Sequence, residues 1–246
     1  MAVKQFAPPG SPLANDQCSM NIIAFSDIHM ATSEAANIPG IGEADVVILN
    51  GDLTNLGGVR EVRRVLDYIL ALNPKVLAQF GNLDRLEVNG YLEDLGINLH
   101  GQARLVDGEV CLVGIGGSNI TPFSTPSEFS EKEIFTLTDR ALAQGREYIT
   151  LAEPLYNRRI PLILVSHAPP HNTRVDMLHS GKHVGSTAIR SLIEQHRPDL
   201  CITGHIHEGK GMDAIGTTPI YNTGMLKRGG WLTISVNKAQ LKVHLQ

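Results

Sequence analysis

The sequence predicts an α/β fold, a four-layer α-β-β-α sandwich in which two mixed β-sheets face each other and helices cover the outside. Short aliphatic runs recur along the chain and stop at polar residues or glycine, which is typical of buried strands. Apolar residues at helical spacing lie between some of these runs and predict helices packed on a sheet. The last part of the chain alternates apolar and polar residues, which favours antiparallel strands over another strand-helix-strand unit.

Six aliphatic runs predict the buried strands. Each is rich in β-branched or aliphatic residues and is bounded by polar residues or glycine. In chain order they are 21–26, 45–50, 75–80, 110–116, 161–167 and 199–205. The antiparallel strands expected from Thr218 onward lie in the segments TPIYN, WLTISVN and LKVHLQ.

Two segments predict helices. The first lies between the second and third strands, where apolar side chains recur with arginine and glutamate on the opposite face. Its apolar residues are Val59, Val62, Val65, Leu66 and Ile69. The second helix begins after Ser186, a residue type favoured at helix N-caps, and ends before Pro198. A less regular helical pattern runs from Ser130 to about Glu153.

The length of 246 residues suits one α/β domain. We expect a loosely ordered N-terminal tail over residues 1–20 and a single domain over 21–246. A net charge of −4 provides no general basic field, so a dedicated nucleic-acid surface is not expected.

The cysteines and the hydropathy pattern predict a cytoplasmic protein. Cys18, Cys111 and Cys201 cannot all pair within one chain, and the last two lie in apolar runs, so we expect buried, reduced thiols. The opening segment lacks the apolar core of a signal peptide, and no run of about 18 apolar residues predicts a membrane span. The oligomeric state stays open, a homo-oligomer included.

Side chains that can bind metals follow the first two predicted strands. Asp27 and His29 are two residues apart, so both side chains lie on one side of an extended backbone. Asp52 follows the second strand directly after Gly51. Taken singly, each is more often a turn or surface residue, but ligands of open α/β sheets bind at the carboxyl ends of strands.

The later strands add further donors at the same depth. Asn82 follows the third strand, His167 ends the fifth, and His205 and His207 follow the sixth at a spacing of two. Together the aspartates, the asparagine and the histidines form a nitrogen and oxygen donor set that suits Mn²⁺, Fe or Zn²⁺. We therefore predict a metal centre formed by Asp27, His29, Asp52, Asn82, His167, His205 and His207.

The ordered motifs D-x-H, G-D, G-N-x-D, a lone histidine and G-H-x-H resemble the signature of the calcineurin-like metallophosphoesterase superfamily. The resemblance runs from residue 21 to about residue 224, and the run 183–209 is similar to the bacterial and archaeal single-domain branch. It implies a metallophosphoesterase domain over 21–246 with two divalent or trivalent transition-metal ions, manganese, iron or zinc. By this resemblance Asp27, His29 and His207 hold the first metal, Asn82, His167 and His205 hold the second, and Asp52 bridges.

The resemblance also implies hydrolysis of a small phosphoester by a hydroxide that bridges the two ions, with Asp52 and Asn82 in the catalytic centre. Leu83 departs from the family pattern, because many relatives have a histidine there that is thought to protonate the leaving oxygen or stabilise the phosphoryl group. Since leucine can do neither, we expect a preference for aryl or cyclic phosphodiesters, cyclic nucleotides included, over alkyl monoesters. Asp84, which matches the carboxylate that orients this histidine, is left to pair with Arg85 or another local group.

A replacement acid is sought in the loop after the fifth strand, which contains His171, His179 and His183. His183, flanked by Gly181 and Gly185, is the candidate that we select for this role. Three further histidines have no such context and are expected to be structural or exposed: His100, His196 and His244.

Two alternatives to a phosphodiesterase stay open. One is a phosphomonoesterase of the same family, and the other is a non-catalytic metal-binding scaffold, since some superfamily members have lost metal ligands and serve in protein complexes. Retention of all seven donors favours an enzyme. A nuclease acting on long chains would need a basic groove or a cap domain, and neither is visible in the sequence.

Overall fold

The computed structural model describes residues 19–246, so most of the predicted tail, Cys18 included, lies outside the described residues. The strands are β1 Met20–Phe25, β2 Val46–Asn50, β3 Val76–Gln79, β4 Gln102–Val106, β5 Val110–Ile115, β6 Ser118–Asn119, β7 Glu128–Phe129, β8 Leu162–Ser166, β9 Leu200–Thr203, β10 Gly211–Ile215, β11 Thr218–Asn222, β12 Leu232–Asn237 and β13 Gln240–Leu245. The α-helices are α1 Val59–Leu72, α2 Glu87–Asp94, α3 Glu131–Tyr156 and α4 Thr187–His196.

Two mixed sheets contain most of these strands, as predicted. The first sheet has the order β13-β12-β1-β2-β3, and the second has the order β10-β11-β9-β8-β5-β4. Neighbours are parallel from β1 to β3 and from β5 through β8 and β9 to β11. Antiparallel strands lie at the edges, where β12 and β13 extend the first sheet and β4 and β10 border the second.

The two sheets pack face to face around a buried aliphatic layer. Ile22 and Ile48 of the first sheet share one cluster with Leu112, Ile163 and Ile202 of the second. Because successive side chains of a strand point to opposite faces, a sheet covered on both sides needs apolar residues at nearly every position. This is why the central strands appear in the sequence as continuous aliphatic runs.

Helices cover the outer faces and complete the four layers. Leu66 of α1 packs with Phe25 on the outside of the first sheet. Leu142 of α3 and Ile189 of α4 pack with Val113 on the outside of the second sheet. The predicted α-β-β-α sandwich is therefore confirmed.

The helix ends follow from capping chemistry. Ser186 is the N-cap of α4, as predicted, and its hydroxyl accepts the Ile189 N–H at 3.2 Å. Ser130 caps α3 in the same way and forms a capping box with Glu133. The helix α3 continues to Tyr156, slightly beyond the predicted end, and Asn157 follows it in the left-handed conformation that commonly ends helices.

The prediction for the C-terminal strands is right for β12 and β13 and incomplete for β11. The segment TPIYN pairs antiparallel with β10 but also parallel with β9, so it extends the second sheet. The sequence did not predict β10, because its segment GMDAI contains glycine and aspartate and only its last residue is buried. The helix α2 and the strand β4 also escaped prediction, since few of their side chains are buried.

The described residues agree with the expected thiols. Cys111 and Cys201 are free and buried, and burial raises the pKa of the Cys111 thiol to about 12. Among helices of the described part of the chain, none combines the length and apolar character that crossing a bilayer requires.

Candidate metal centre

The first cluster of donors joins the ends of β1 and β9. Asp27, His29 and His207 place one donor atom each within 4.8 Å of the others. His207 Nε2 lies 3.2 Å from both His29 Nε2 and Asp27 Oδ1. His29 Nδ1 is buried and has no hydrogen-bond partner among the described residues. We call these three residues the first cluster.

The second cluster joins the ends of β2, β3, β8 and β9. Asp52, His167 and His205 also place one donor atom each within 4.8 Å of the others. His167 Nε2 lies 3.4 Å from Asp52 Oδ1 and 3.2 Å from Asn82 Oδ1, so the asparagine belongs to the same group. We call these four residues the second cluster.

Asp52 connects the two clusters. Its Oδ1 faces His167, while its Oδ2 lies 3.9 Å from His29 Nε2 in the first cluster. A carboxylate whose two oxygens face two separate donor groups can bind one cation with each oxygen. The structure thus brings all seven predicted donors together at the carboxyl ends of the strands.

Four of these donors lie on strained backbone. Asp27, His29, Asp52 and His205 have φ values of 51°, 47°, 48° and 63°. Non-glycine residues rarely adopt this left-handed conformation, and each instance costs on the order of 1 kcal/mol or more. Backbone hydrogen bonds hold the strain, since Asp27 N–H donates to the Gly51 carbonyl at 3.0 Å and His29 N–H to the Asp52 carbonyl at 2.9 Å. No residue pattern predicted this strain, which concentrates where the donors converge.

The glycines that precede Asp52 and Asn82 allow the strand ends to approach each other. A Cβ atom at Gly51 would lie 2.5 Å from His167 Nδ1, and one at Gly81 would overlap the backbone nitrogen and carboxylate of Asp52. The G-D and G-N motifs therefore require glycine for close packing between donors.

Hydrogen bonds turn the acceptor atoms of the second cluster toward each other. His167 Nδ1 lies 2.8 Å from the Asn50 carbonyl, which can only accept, so Nδ1 carries a proton. Asn82 Nδ2 donates to Thr125 Oγ1 at 3.0 Å, which leaves Oδ1 to face His167 Nε2. In neutral histidine, a nitrogen lone pair would then meet oxygen lone pairs from Asn82 and Asp52. A cation bound among these atoms removes the conflict, so the residues fit a metal ion.

Protonation offers the other way to satisfy these acceptors. Burial by itself would lower the pKa of His167, but the charge and hydrogen bond of Asp52, with the charge of Asp27, raise it to about 9. Near neutral pH a proton therefore occupies the position that a metal ion would take, and metal binding must release it.

The other buried groups of the site are also strongly shifted. Burial would raise the pKa of Asp27, yet the hydrogen bond from His207 and the charge of His167 lower it to about 2. Burial and the charge of His167 lower the pKa of His205 to about 4. The centre therefore holds an ionised carboxylate beside a neutral imidazole, and both states are suited to metal binding.

Asp84 holds the turn after β3. It is buried and accepts N–H groups from Leu53 at 2.9 Å, Thr54 at 2.8 Å and Gly81 at 2.9 Å. The sequence left two possible partners for Asp84, Arg85 or another local group. Asp84 binds these local backbone groups, and the described residues contain no ion pair between Asp84 and Arg85. Burial and the charge of Asp52 raise the pKa of Asp84 to about 6.

His183 has a buried carboxylate partner that the sequence did not reveal. Its Nδ1 lies 2.7 Å from Asp176 Oδ1, and Asp176 also accepts N–H groups from Thr173 and Gly185. Its ring lies 6.0 Å from that of His171, measured between ring centroids. No pattern marked Asp176, because its partners lie in an irregular loop; the role of His183 stays a prediction.

The three histidines without site context have ordinary surroundings. His100 accepts the Gly116 N–H and stacks on Phe129, His196 lies 2.8 Å from Asp139, and His244 is exposed on β13. None of these contacts involves either cluster.

Comparisons with known proteins agree with the motif resemblance. A family model described as calcineurin-like phosphoesterase matches residues 20–209. An uncharacterized protein of Methanocaldococcus jannaschii is 34% identical over 212 residues, which cover 82% of this chain and 87% of that protein.

Solved structures share the fold. The protein TT1561 of Thermus thermophilus matches with a TM-score of 0.63 and 18% identity, covering 93% of this chain and 99% of that one. A dimetal phosphatase from Danio rerio matches with a TM-score of 0.61 and 12% identity, covering 92% and 95%. At identities of 18% and 12%, these two structural similarities establish the fold of this chain alone.

Proposed function

The chain belongs to the calcineurin-like phosphoesterase family, and from this premise we propose that it is a two-metal phosphodiesterase acting on small phosphoester substrates. The family and the two donor clusters support a metal-dependent phosphoester hydrolase with divalent metal cofactors. The observation that carries the proposal is the second cluster, in which the oxygens of Asn82 and Asp52 converge on His167 Nε2 at distances of 3.2 Å and 3.4 Å.

We assign the donors to two metal positions. Asp27, His29 and His207 would hold one ion, and Asn82, His167 and His205 would hold the other. Asp52 would contact both. Two such ions, when bound, stabilise the charge on the phosphoryl oxygens and activate water near neutral pH. Two carboxylates neutralise only part of the charge of two divalent cations, so the site would attract phosphate although the chain carries a net charge of −4.

A diester with a good leaving group suits the residue at position 83. Leu83 cannot donate a proton, and its backbone N–H donates to Asp52 Oδ1 at 2.8 Å, which holds this position beside the bridging carboxylate. An aryl leaving group needs little protonation, whereas an alkyl leaving group needs a general acid. Aryl phosphodiesters, and cyclic nucleotides as the second substrate class, are therefore favoured over alkyl monoesters.

Apolar side chains on the surrounding loops support an organic substituent on the phosphate. Leu56 and Leu86 lie four residues after the donors Asp52 and Asn82. Ile120 and Phe123 lie shortly before Thr125, in the loop that binds Asn82. All four of these apolar side chains are more than half exposed. Burying such surfaces against an aryl or nucleoside group would add binding energy that inorganic phosphate cannot provide.

His183 is the proposed proton donor for poorer leaving groups. Asp176 fixes the proton on Nδ1, which leaves Nε2 free to exchange a proton. Asn222 links the segment before His183 to the backbone around His205, because its Nδ2 donates to the carbonyls of Val175, Gly204 and Ile206.

A substrate panel tests the proposal. Protein reloaded with Mn²⁺ is assayed with a bis-aryl phosphodiester, a cyclic nucleotide and an aryl monoester, with Asp52→Asn as the variant that lacks a bridging carboxylate. We expect the highest kcat/KM for the aryl diester and a loss of at least about a hundredfold in Asp52→Asn. Faster turnover of the monoester would favour the phosphomonoesterase, and a metal-loaded protein inactive on every phosphoester would favour the scaffold.

A further inference from the structure

A chain of hydrogen bonds outside the metal ligands ends on the side chain of Asn82. Glu128 Oε1 accepts the Thr125 hydroxyl at 2.7 Å, and Thr125 Oγ1 in turn accepts Asn82 Nδ2 at 3.0 Å. We call these residues the outer chain. The outer chain ends at Asn82, which is 4% exposed and belongs to the second cluster.

Glu128 determines the direction of the outer chain. Its Oε1 also accepts the Thr125 N–H at 2.8 Å and the Thr121 hydroxyl at 2.6 Å. Burial by itself would raise the pKa of Glu128, but these hydrogen bonds from Thr121 and Thr125 lower it, so the carboxylate is ionised near neutral pH. An ionised carboxylate only accepts hydrogen bonds, so the single hydroxyl proton of Thr125 is committed to Glu128.

The committed proton fixes the orientation of the Asn82 amide. Thr125 Oγ1 can then only accept from Asn82, which must present its NH₂ group to the threonine and its Oδ1 to His167. The opposite orientation would direct two N–H donors at the second cluster, and an amide nitrogen repels a cation. The outer chain therefore selects the one orientation that can bind a metal.

Separate contacts anchor the loop itself. Ser127 N–H donates to the Asn82 carbonyl at 3.1 Å, and the Ser127 hydroxyl donates to the Asp84 carbonyl at 2.6 Å. Because these contacts involve neither the Thr125 hydroxyl nor Glu128, the loop keeps its position when the outer chain is altered. An effect of the outer chain on metal binding can thus be measured in a folded protein.

We infer that Thr125 and Glu128 are positioning residues that set the metal affinity of the second cluster by fixing the Asn82 amide. The inference rests on the metal sites assigned in the proposed function, and it applies to metal binding whether or not turnover follows. Outer partners of metal ligands typically change metal affinity by about tenfold to a hundredfold.

The test compares four variants by calorimetric titration of Mn²⁺ into metal-free protein, with the bound metal counted by elemental analysis. Thr125→Val removes the hydroxyl at constant shape, and Glu128→Ala removes the oxygen that accepts the Thr125 hydroxyl proton. Both should weaken one of the two Mn²⁺ sites by about tenfold to a hundredfold and leave the other unchanged. Thr125→Ser keeps the hydroxyl and should restore affinity to within about threefold of the wild type.

Thr121→Val is the matched control, because Thr121 donates to the same carboxylate but does not contact Asn82. Wild-type affinity at both sites in Thr125→Val would overturn the inference, and so would equal losses in Thr121→Val and Thr125→Val. A protein that binds two Mn²⁺ ions, shows the expected weakening of one site in Thr125→Val and hydrolyses no phosphoester would support the inference and contradict the proposed phosphodiesterase alone.

Discussion

Replacing Leu83 with histidine introduces the proton donor that the motif resemblance leads us to expect at this position. The backbone there is already placed, because the Leu83 N–H donates to Asp52 Oδ1 at 2.8 Å. The side chain is partly exposed, so an imidazole has room to reach a bound leaving group. Leu83→His should therefore accelerate substrates whose leaving oxygen needs a proton.

The size of the gain follows from the neighbours of position 83. A well-placed general acid contributes about a hundredfold to ten-thousandfold. Asp84, the carboxylate that would orient the new histidine, already accepts three backbone N–H groups, from Leu53, Thr54 and Gly81. Because the imidazole would lack this support, we expect the low end of the range, about a hundredfold for alkyl esters and less than about threefold for nitrophenyl esters.

The assay is a plot of kcat/KM against leaving-group pKa for a series of phosphodiesters. Even with His183 as a replacement acid, kcat/KM of the wild type should decline more steeply toward weakly acidic alcohols than kcat/KM of Leu83→His. Leu83→Gln, which fills similar space but transfers no proton, serves as the control. An unchanged slope in Leu83→His, with the metal content of the wild type, would refute the assignment of the missing acid to this position.

Three further predictions concern packing, pH and substrate contact. Gly81→Ala should abolish activity and reduce metal content because its Cβ has no room, whereas Gly90→Ala, in open space on α2, should keep activity and stabilise the fold by about 0.5–1 kcal/mol in urea unfolding. Burial lowers the pKa of His100 from 6.5 to about 4, so the folded state binds fewer protons at this residue than the unfolded state does. The free energy of unfolding should therefore fall by about 3 kcal/mol as the pH drops from 6.5 to 4. Urea unfolding at a series of pH values checks this, and His100→Gln should remove that part of the decline. Phe123→Ser should raise KM for aryl diesters about tenfold without changing kcat, while Leu155→Ser, equally exposed at 82% but on α3, should leave both constants unchanged.

The donors could be predicted because strand geometry converts sequence order into proximity. Asp52, Asn82 and His167 all follow aliphatic runs, and parallel strands bring their carboxyl ends to one edge of a sheet. The aliphatic runs were readable because the sandwich buries both faces of each central strand. The sequence pattern therefore predicted the central strands, and the position of the seven donors at strand ends predicted that they lie close together.

Other features escaped prediction because they depend on contacts between irregular segments. Thr125 lies 43 residues from Asn82, in a loop without strand or helix periodicity, yet it determines how the amide is oriented. The left-handed backbone at Asp27 and His205 also leaves no trace in residue type, since neither is glycine. Sequence patterns report burial and periodicity, whereas these features arise from individual hydrogen bonds formed only in the folded chain.

Asp84 explains how the chain can lack the family histidine and still keep the carboxylate beside it. The motif resemblance implies that this carboxylate orients an imidazole where the histidine is present. Here its Oδ2 accepts the N–H groups of Leu53 and Gly81 and so joins the turns after β2 and β3. These turns carry Asp52 and Asn82, so losing the carboxylate would leave buried donors unsatisfied at a cost of about 1–3 kcal/mol each. Asp84→Asn should accordingly weaken metal binding and stability without altering the dependence on leaving-group pKa, because the carboxylate supports the metal ligands and not a proton donor.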